Sequence, residues 1–148
     1  MKFSKLMKER IRRVQILFRE LGFEVVGGER IEETFSAAYE NGNGFLGGFF
    51  IDAENKFLEV AFTFSFSSEL ESYLGSRLEE MLGICYEFGC YLNVQSPNSE
   101  IEFSVYSKIY YAGLNYYSLK ETLRDFEACA ESIKEVIDLQ NESAAENI

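Results

Sequence analysis

Residues 31–66 read IEETFSAAYENGNGFLGGFFIDAENKFLEVAFTFSF, and their periodicity decides the fold class. Ile31, Phe35, Ala37 and Tyr39 alternate with Glu32, Thr34, Ser36, Ala38 and Glu40, the period of a strand with one buried face. Glu33 has the parity of Ile31 and Phe35 and is read as a residue of the strand's frayed start, a buried carboxylate being the alternative. Asn41-Gly42-Asn43-Gly44 then supplies residues that accept positive φ, so a hairpin is expected there. Phe45–Asp52 is apolar on both sides, and Ala53-Glu54-Asn55-Lys56 is the next turn. Leu58, Val60, Phe62, Phe64 and Phe66 alternate with Glu59, Ala61, Thr63 and Ser65, a half-buried third strand. The three make an antiparallel meander, with room for a short strand at Phe23–Val26 before it.

Outward from the meander the period changes to that of helices. Phe3, Leu6, Met7, Ile11, Val14, Leu17, Phe18 and Leu21 recur in steps of three and four, so residues 3–21 form an amphipathic helix that Gly22 ends. Downstream, Ser68 and Glu71 have the spacing of a capping box. The stripe Leu70, Leu74, Leu78, Met81, Cys85 and Phe88 carries a second helix to Gly89. Cys90, Leu92 and Val94 alternate with Tyr91, Asn93 and Gln95. The turn Ser96-Pro97-Asn98-Ser99 leads into a strand with Ile101, Phe103, Val105, Ile109 and Tyr111 on one parity. Ser118 and Glu121 repeat the box spacing ahead of a last helix with Leu119, Leu123, Phe126, Ala130, Ile133 and Ile137 on its apolar face. The expected order is α-β-β-β-α-β-β-α, an α+β fold with a mostly antiparallel five-stranded sheet packed with helices. One domain is expected over residues 1–140, and the polar residues 141–148 are expected to be a flexible tail.

The 148 residues include 25 acidic and 14 basic side chains, for a net charge of −11, with 47% hydrophobic residues and no histidine. Such an apolar fraction excludes a disordered chain. The negative field argues against nucleic acid and anionic membranes as partners. Residues 1–20 depart from it, with seven basic side chains against Glu9 and Glu20, and are read as a helix whose basic face is solvated or lies near the acidic remainder, a basic arm for nucleic acid or lipid headgroups being the alternative. Without histidine there is no Ser-His-Asp or Cys-His nucleophile system and no imidazole metal ligand. The longest uncharged runs, 41–51, 88–99 and 109–119, are too short to span a bilayer. No apolar run of signal-peptide length precedes them, so a cytoplasmic protein is expected. Cys85, Cys90 and Cys129 are odd in number and lack C-x-x-C spacing, and are read as reduced, buried thiols.

Two catalytic motifs dissolve on inspection. Gly42-Asn43-Gly44-Phe45-Leu46-Gly47 matches G-x-G-x-x-G, but a dinucleotide site needs that loop to open a helix, and here it opens a strand. Gly47-Gly48 is read instead as a bulge, a bend or close packing against an aromatic neighbour. Glu32-Glu33 and Glu79-Glu80 are adjacent pairs whose side chains diverge, unlike a glycosidase dyad. No cofactor, metal or catalytic site is expected, and the chain is read as non-enzymatic.

The element order over residues 3–139 resembles the type III secretion chaperone-like fold and, within it, the YbjN family of sensory transduction regulators. The resemblance runs best from the second helix through Tyr91-Leu92-Asn93-Val94, the Pro97-Asn98 turn, Glu100–Tyr111 and Ser118–Ile137. It implies a non-catalytic domain that binds a protein client, and a homodimer. Tyr91, Tyr106 and Tyr110 have the parity opposite the apolar set of the two late strands and are the candidate protein-binding residues. Ordinary β-propensity explains the same tyrosines without a partner. The alternative function is an acidic inhibitor or immunity protein that blocks a basic surface. The cluster Glu24, Glu29, Glu32, Glu33 and Glu40 is its candidate face.

Overall fold

The sequence VVGGERI, which lacks a clean alternation, forms most of an eight-residue strand in the computed structural model, which describes residues 3–138. The elements are α1 (Lys5–Glu20), β1 (Glu24–Ile31), β2 (Thr34–Glu40), β3 (Leu46–Asp52), β4 (Phe57–Ser67), α2 (Glu71–Glu87), β5 (Tyr91–Gln95), β6 (Glu100–Tyr110) and α3 (Tyr116–Val136). The fold is α+β, with one antiparallel sheet in the order β1-β2-β3-β4-β6-β5. It has six strands where five were expected, because β1 extends well past Val26. Val26 pairs with Ala38 and Glu29 with Ser36, so Gly27 and Gly28 together oppose Ala37 alone. That two-against-one count is a β-bulge, and the positive φ of both glycines (72° and 141°) is what permits it. A glycine pair that reads as a loop is therefore the bulge of a continuous strand.

The same strand corrects the placement of three neighbours. Ile31 ends β1 and is exposed, and Glu32-Glu33 form the two-residue connection to β2, with Glu32 at φ 54°. Glu33 is thus a turn residue, not the first residue of a strand. The other two turns of the meander lie where the sequence puts them. Asn41 donates its N–H to the Phe45 carbonyl (2.8 Å), closing the β2–β3 hairpin, and Asn55 donates to the Asp52 carbonyl (3.1 Å) before β4.

Helix ends are set by local hydrogen bonds. Ser4 caps α1, its hydroxyl accepting from the Met7 N–H at 3.1 Å. After α1 the Phe23 N–H bonds to the Phe18 carbonyl and the Gly22 N–H to that of Arg19. After α2 the Cys90 N–H bonds to the Cys85 carbonyl and the Gly89 N–H to that of Tyr86. Both pairs are Schellman closures, and Gly22 (φ 90°) and Gly89 (φ 70°) take their left-handed positions. The expected capping boxes are displaced. Ser67 caps a 3-10 turn at Ser68–Leu70 ahead of α2, so Ser68 is not the cap. At α3 the reciprocal pair is Asn115 and Ser118: the Ser118 N–H donates to Asn115 Oδ1, and the Asn115 N–H to Ser118 Oγ, both at 2.9 Å.

The chain packs as two compact units, Met1–Phe62 with Tyr106–Arg124, and Thr63–Val105 with Asp125–Ile148; β4, β6 and α3 contribute residues to both. The core of the first unit is aromatic. Phe18 of α1 stacks on Phe49 (centroids 4.7 Å) and leans on Tyr39 (4.8 Å), while Phe23 meets Tyr39 edge-on at 5.3 Å. Phe18 and Phe49 are fully buried; each contributes up to about 3 kcal/mol in removed apolar surface, and each ring pair about 1 kcal/mol beyond that. Gly47 is the close-packed glycine of β3, since a Cβ there would stand 2.7 Å from the Tyr39 ring. The second unit has an aliphatic and sulfur core of Leu74, Met81, Cys85, Ile101, Phe103, Phe126, Cys129, Ala130 and Ile133. Residues 141–148, where a flexible tail was expected, lie outside the described residues.

Candidate functional site

Leu74 and Leu78 stand one turn apart on α2, with Gly75 beside them. In the second unit they line a groove of about 390 Å³ together with Val94 of β5 and Ile101 and Phe103 of β6. Leu74, Ile101 and Phe103 are buried and form its floor, whereas Val94 is 46% exposed. A Cβ on Gly75 would meet nothing within 4 Å, so the glycine keeps the groove open. Its rim is polar, with Ser68, Glu71, Ser96, Ser99 and Glu100. The Ser68 N–H donates to the Ser99 carbonyl (3.2 Å), which fastens the Pro97 turn to the start of the α2 region. The size and apolar lining suit a side chain or two of a bound ligand rather than solvent alone.

Beside the groove lies an unprotected strand. β5 ends the sheet and reads Tyr91-Leu92-Asn93-Val94-Gln95, with no charge and no proline; all but Leu92 are exposed. Natural edges usually carry a charge, a proline or a bulge against pairing with another chain. This one carries neither a charge nor a proline. The second unit also holds the charge, with 14 acidic against 2 basic side chains in sequence (−12), while the first holds 11 against 12 (+1).

The candidate tyrosines fall in different places. Tyr91 starts β5 in the second unit and is 40% exposed. Tyr106 and Tyr110 lie on the outward parity of β6 in the first unit, where Tyr106 is half-buried and Tyr110 is exposed. Tyr110 already packs edge-on against Phe57 at 5.7 Å, with the Lys108 ammonium 5.0 Å from the Phe57 ring and 5.5 Å from its own. On the facing parity Ser107 is buried among apolar positions. Of the acidic cluster, Glu24 and Glu40 are cross-strand partners, Glu29 lies on β1, and Glu32 and Glu33 form the turn. That cluster belongs to the nearly neutral unit. The groove escaped sequence reading because Leu74, Leu78, Val94, Ile101 and Phe103 each look like core on their own element.

The thiols are all free and buried. Cys129 donates to Cys85 Sγ at 4.0 Å, and its contacts with Cys85 and Cys90, then burial, push its thiol up and hold it neutral. Among the described residues no group of three or more Cys, Asp or Glu side chains is arranged to hold a metal, and no helix is long and apolar enough to cross a membrane. The G-x-G-x-x-G stretch lies in the β2–β3 hairpin and opens β3, so it does not present a helix N-terminus to a phosphate.

No protein-family model and no curated protein sequence matches the chain. Three solved structures do. An uncharacterized protein from Methanothermobacter thermautotrophicus is similar with a TM-score of 0.69 at 16% identity, over 87% of this chain and 96% of that one. A chain of the HopA1-SchA chaperone-effector complex gives 0.64 at 12% identity, over 90% and 99%. YbjN from E. coli gives 0.60 at 12% identity, over 90% and 93%. The chain therefore has the chaperone-like fold that YbjN shares, as its element order implied. At these identities the likeness is one of fold.

Proposed function

We propose that this protein is a non-catalytic binding domain that takes an extended segment of a client protein along β5, with apolar side chains of the segment seated in the groove beside α2. The observation that carries this reading is the conjunction of an unguarded edge strand and an open apolar groove sharing Val94. Backbone pairing along β5 supplies affinity for any extended chain, and the Leu74–Leu78 wall selects apolar residues at alternate positions. Tyr91 belongs to the same contact, where its ring adds area at small entropic cost. Tyr106 and Tyr110 are a separate candidate contact on β6. Similarity to a chain of a chaperone-effector complex supports the reading at the level of fold.

Selection of 15-residue segments from a displayed peptide library against the purified chain tests it. Selected segments should be apolar at every second position and should shift the β5 amides in an NMR titration. Gly75→Leu, which fills the groove, and Asn93→Pro, which removes a β5 donor, should each weaken binding at least about tenfold. Segments that bind both variants as well as the parent chain overturn the reading. A second copy of the chain is the competing occupant of β5; light scattering at twice 17.0 kDa, lost in Asn93→Pro, would assign the edge to a homodimer instead.

The concentration of negative charge in the second unit favours one other reading, an acidic inhibitor that covers a basic surface. It predicts binding that falls steeply with salt and survives Gly75→Leu.

A further inference from the structure

Leu6 belongs to the apolar stripe of α1 yet is 56% exposed, because it forms one wall of a second cavity, about 360 Å³, within the first unit. Arg10 and Arg13, one turn apart on α1, share that cavity with Tyr111, which follows β6. The Arg10 guanidinium lies 4.3 Å above the Tyr111 ring and donates through Nη1 to the Asn55 carbonyl at 3.5 Å. Arg13 donates through Nη2 to the Leu114 carbonyl. Each guanidinium has five donors, so most of the fork on each is unused by protein. Among the described residues neither arginine has a carboxylate within ion-pair distance, in contrast to Arg77 with Glu80, Arg124 with Glu121 and Lys134 with Glu131. The Tyr111 hydroxyl, buried in the same wall, has no hydrogen-bond partner.

Two guanidinium groups with unused donors at one cavity call for an acceptor carrying negative charge. The rest of the lining narrows the class. Leu6, Ala112 and Leu114 give the cavity apolar walls, which suit a carbon substituent. Glu9 stands at the same cavity and opposes a doubly charged ligand such as a phosphate dianion. We infer that this cavity binds the carboxylate of a small aliphatic acid, the anion held in the forks of Arg10 and Arg13. This site is independent of the β5 groove, whose lining residues all belong to the other unit.

Calorimetric titration of the full chain at low salt and neutral pH tests the site with four probes. Isovalerate stands for a free acid, and N-acetyl-leucine for the carboxylate at a peptide's end. N-acetyl-leucinamide removes the charge, and inorganic phosphate tests the anion class. Saturable one-to-one binding of either carboxylate is expected, with no binding of the amide and phosphate at least about tenfold weaker. Isovalerate alone would identify the source as a free acid, and N-acetyl-leucine alone as a chain terminus. Arg13→Gln, on an exposed position, and Arg10→Gln should each weaken the bound carboxylate about tenfold. The site is overturned if neither carboxylate saturates, if the amide binds as well as the acid, if phosphate binds as tightly, or if both variants keep the parent affinity.

Discussion

The two ends of the sheet are finished in opposite ways. β1 is guarded: it carries Glu24, Glu29 and Arg30, a two-glycine bulge, and a tight turn at Glu32-Glu33. β5 is short and uncharged, and the groove beside it is open. Two glycines mark the contrast: Gly47 of the first unit is buried and jammed against the Tyr39 ring, whereas Gly75 of the second is exposed on α2 with nothing near it. Bulges and charges on one edge show that this chain does use devices against strand pairing. The absence of any charge from the other edge is then a property of β5, and it is what makes β5 the candidate for a partner.

One chemical change separates the two glycines. Gly47→Ala should be the most damaging single methyl in the molecule, because its Cβ would stand 2.7 Å from the ring of Tyr39, which is itself fully buried. We expect a loss of about 3 kcal/mol in urea unfolding. A loss under about 0.5 kcal/mol would mean that the aromatic core yields easily and that the contrast between the two glycines is false. Next in size is a pH effect that belongs to the first unit. Burial raises the Tyr111 phenol to about 12, with Arg10 lowering it and Asp52 raising it. Its value in the unfolded chain is near 10. Below about pH 10 both states are protonated and this group adds no slope. Between about 10 and 12 the unfolded chain releases the proton first, so stability falls as pH rises through that window. The fall should be shallower in Tyr111→Phe; an unchanged slope would show that Tyr111 does not cause it.

Gly75→Ala is the counterpart of Gly47→Ala in the second unit. The methyl enters open space on an exposed helical face, so only the backbone preference changes, and stability should rise by about 1 kcal/mol. A destabilised variant would mean that the groove is closed in solution.

Much of this division was legible in the sequence, and the missing parts have physical causes. The meander, the three helices and the two glycine-ended helices follow from periodicity and from residues that accept positive φ. β1 was cut short because Gly27-Gly28 interrupts its alternation, and a bulge is recognised only against the strand it pairs with. The Glu32-Glu33 turn contains no glycine, asparagine or proline, so nothing in the composition announces it. Capping serines carried the same difficulty on a smaller scale: Ser67, Ser68, Asn115 and Ser118 all fit a cap, and only the hydrogen bonds choose among them. The outward parity of Tyr106 and Tyr110 was read correctly from alternation, but the Phe57 ring that packs on Tyr110 comes from β4, far away in sequence. Most hidden of all is the order β4-β6-β5. Sequence places β5 between a helix and a strand; only the crossover makes it an edge.

The smallest expected effect bears most directly on that edge. Asn93→Lys puts one charge in the middle of β5 on an exposed side chain, so the folded monomer should change in stability by less than about 0.5 kcal/mol. Pairing is another matter, because a lysine on an edge must be desolvated or displaced before a second strand can lie alongside. The variant should therefore lose partner-segment binding, and any concentration-dependent self-association, while its unfolding curve stays superimposable on that of the parent chain. The matching change on the guarded edge, Val26→Lys, should alter neither association nor binding, since the bulge already denies β1 a regular partner. Equal losses from both substitutions would show that net charge, rather than the bare β5 edge, governs association.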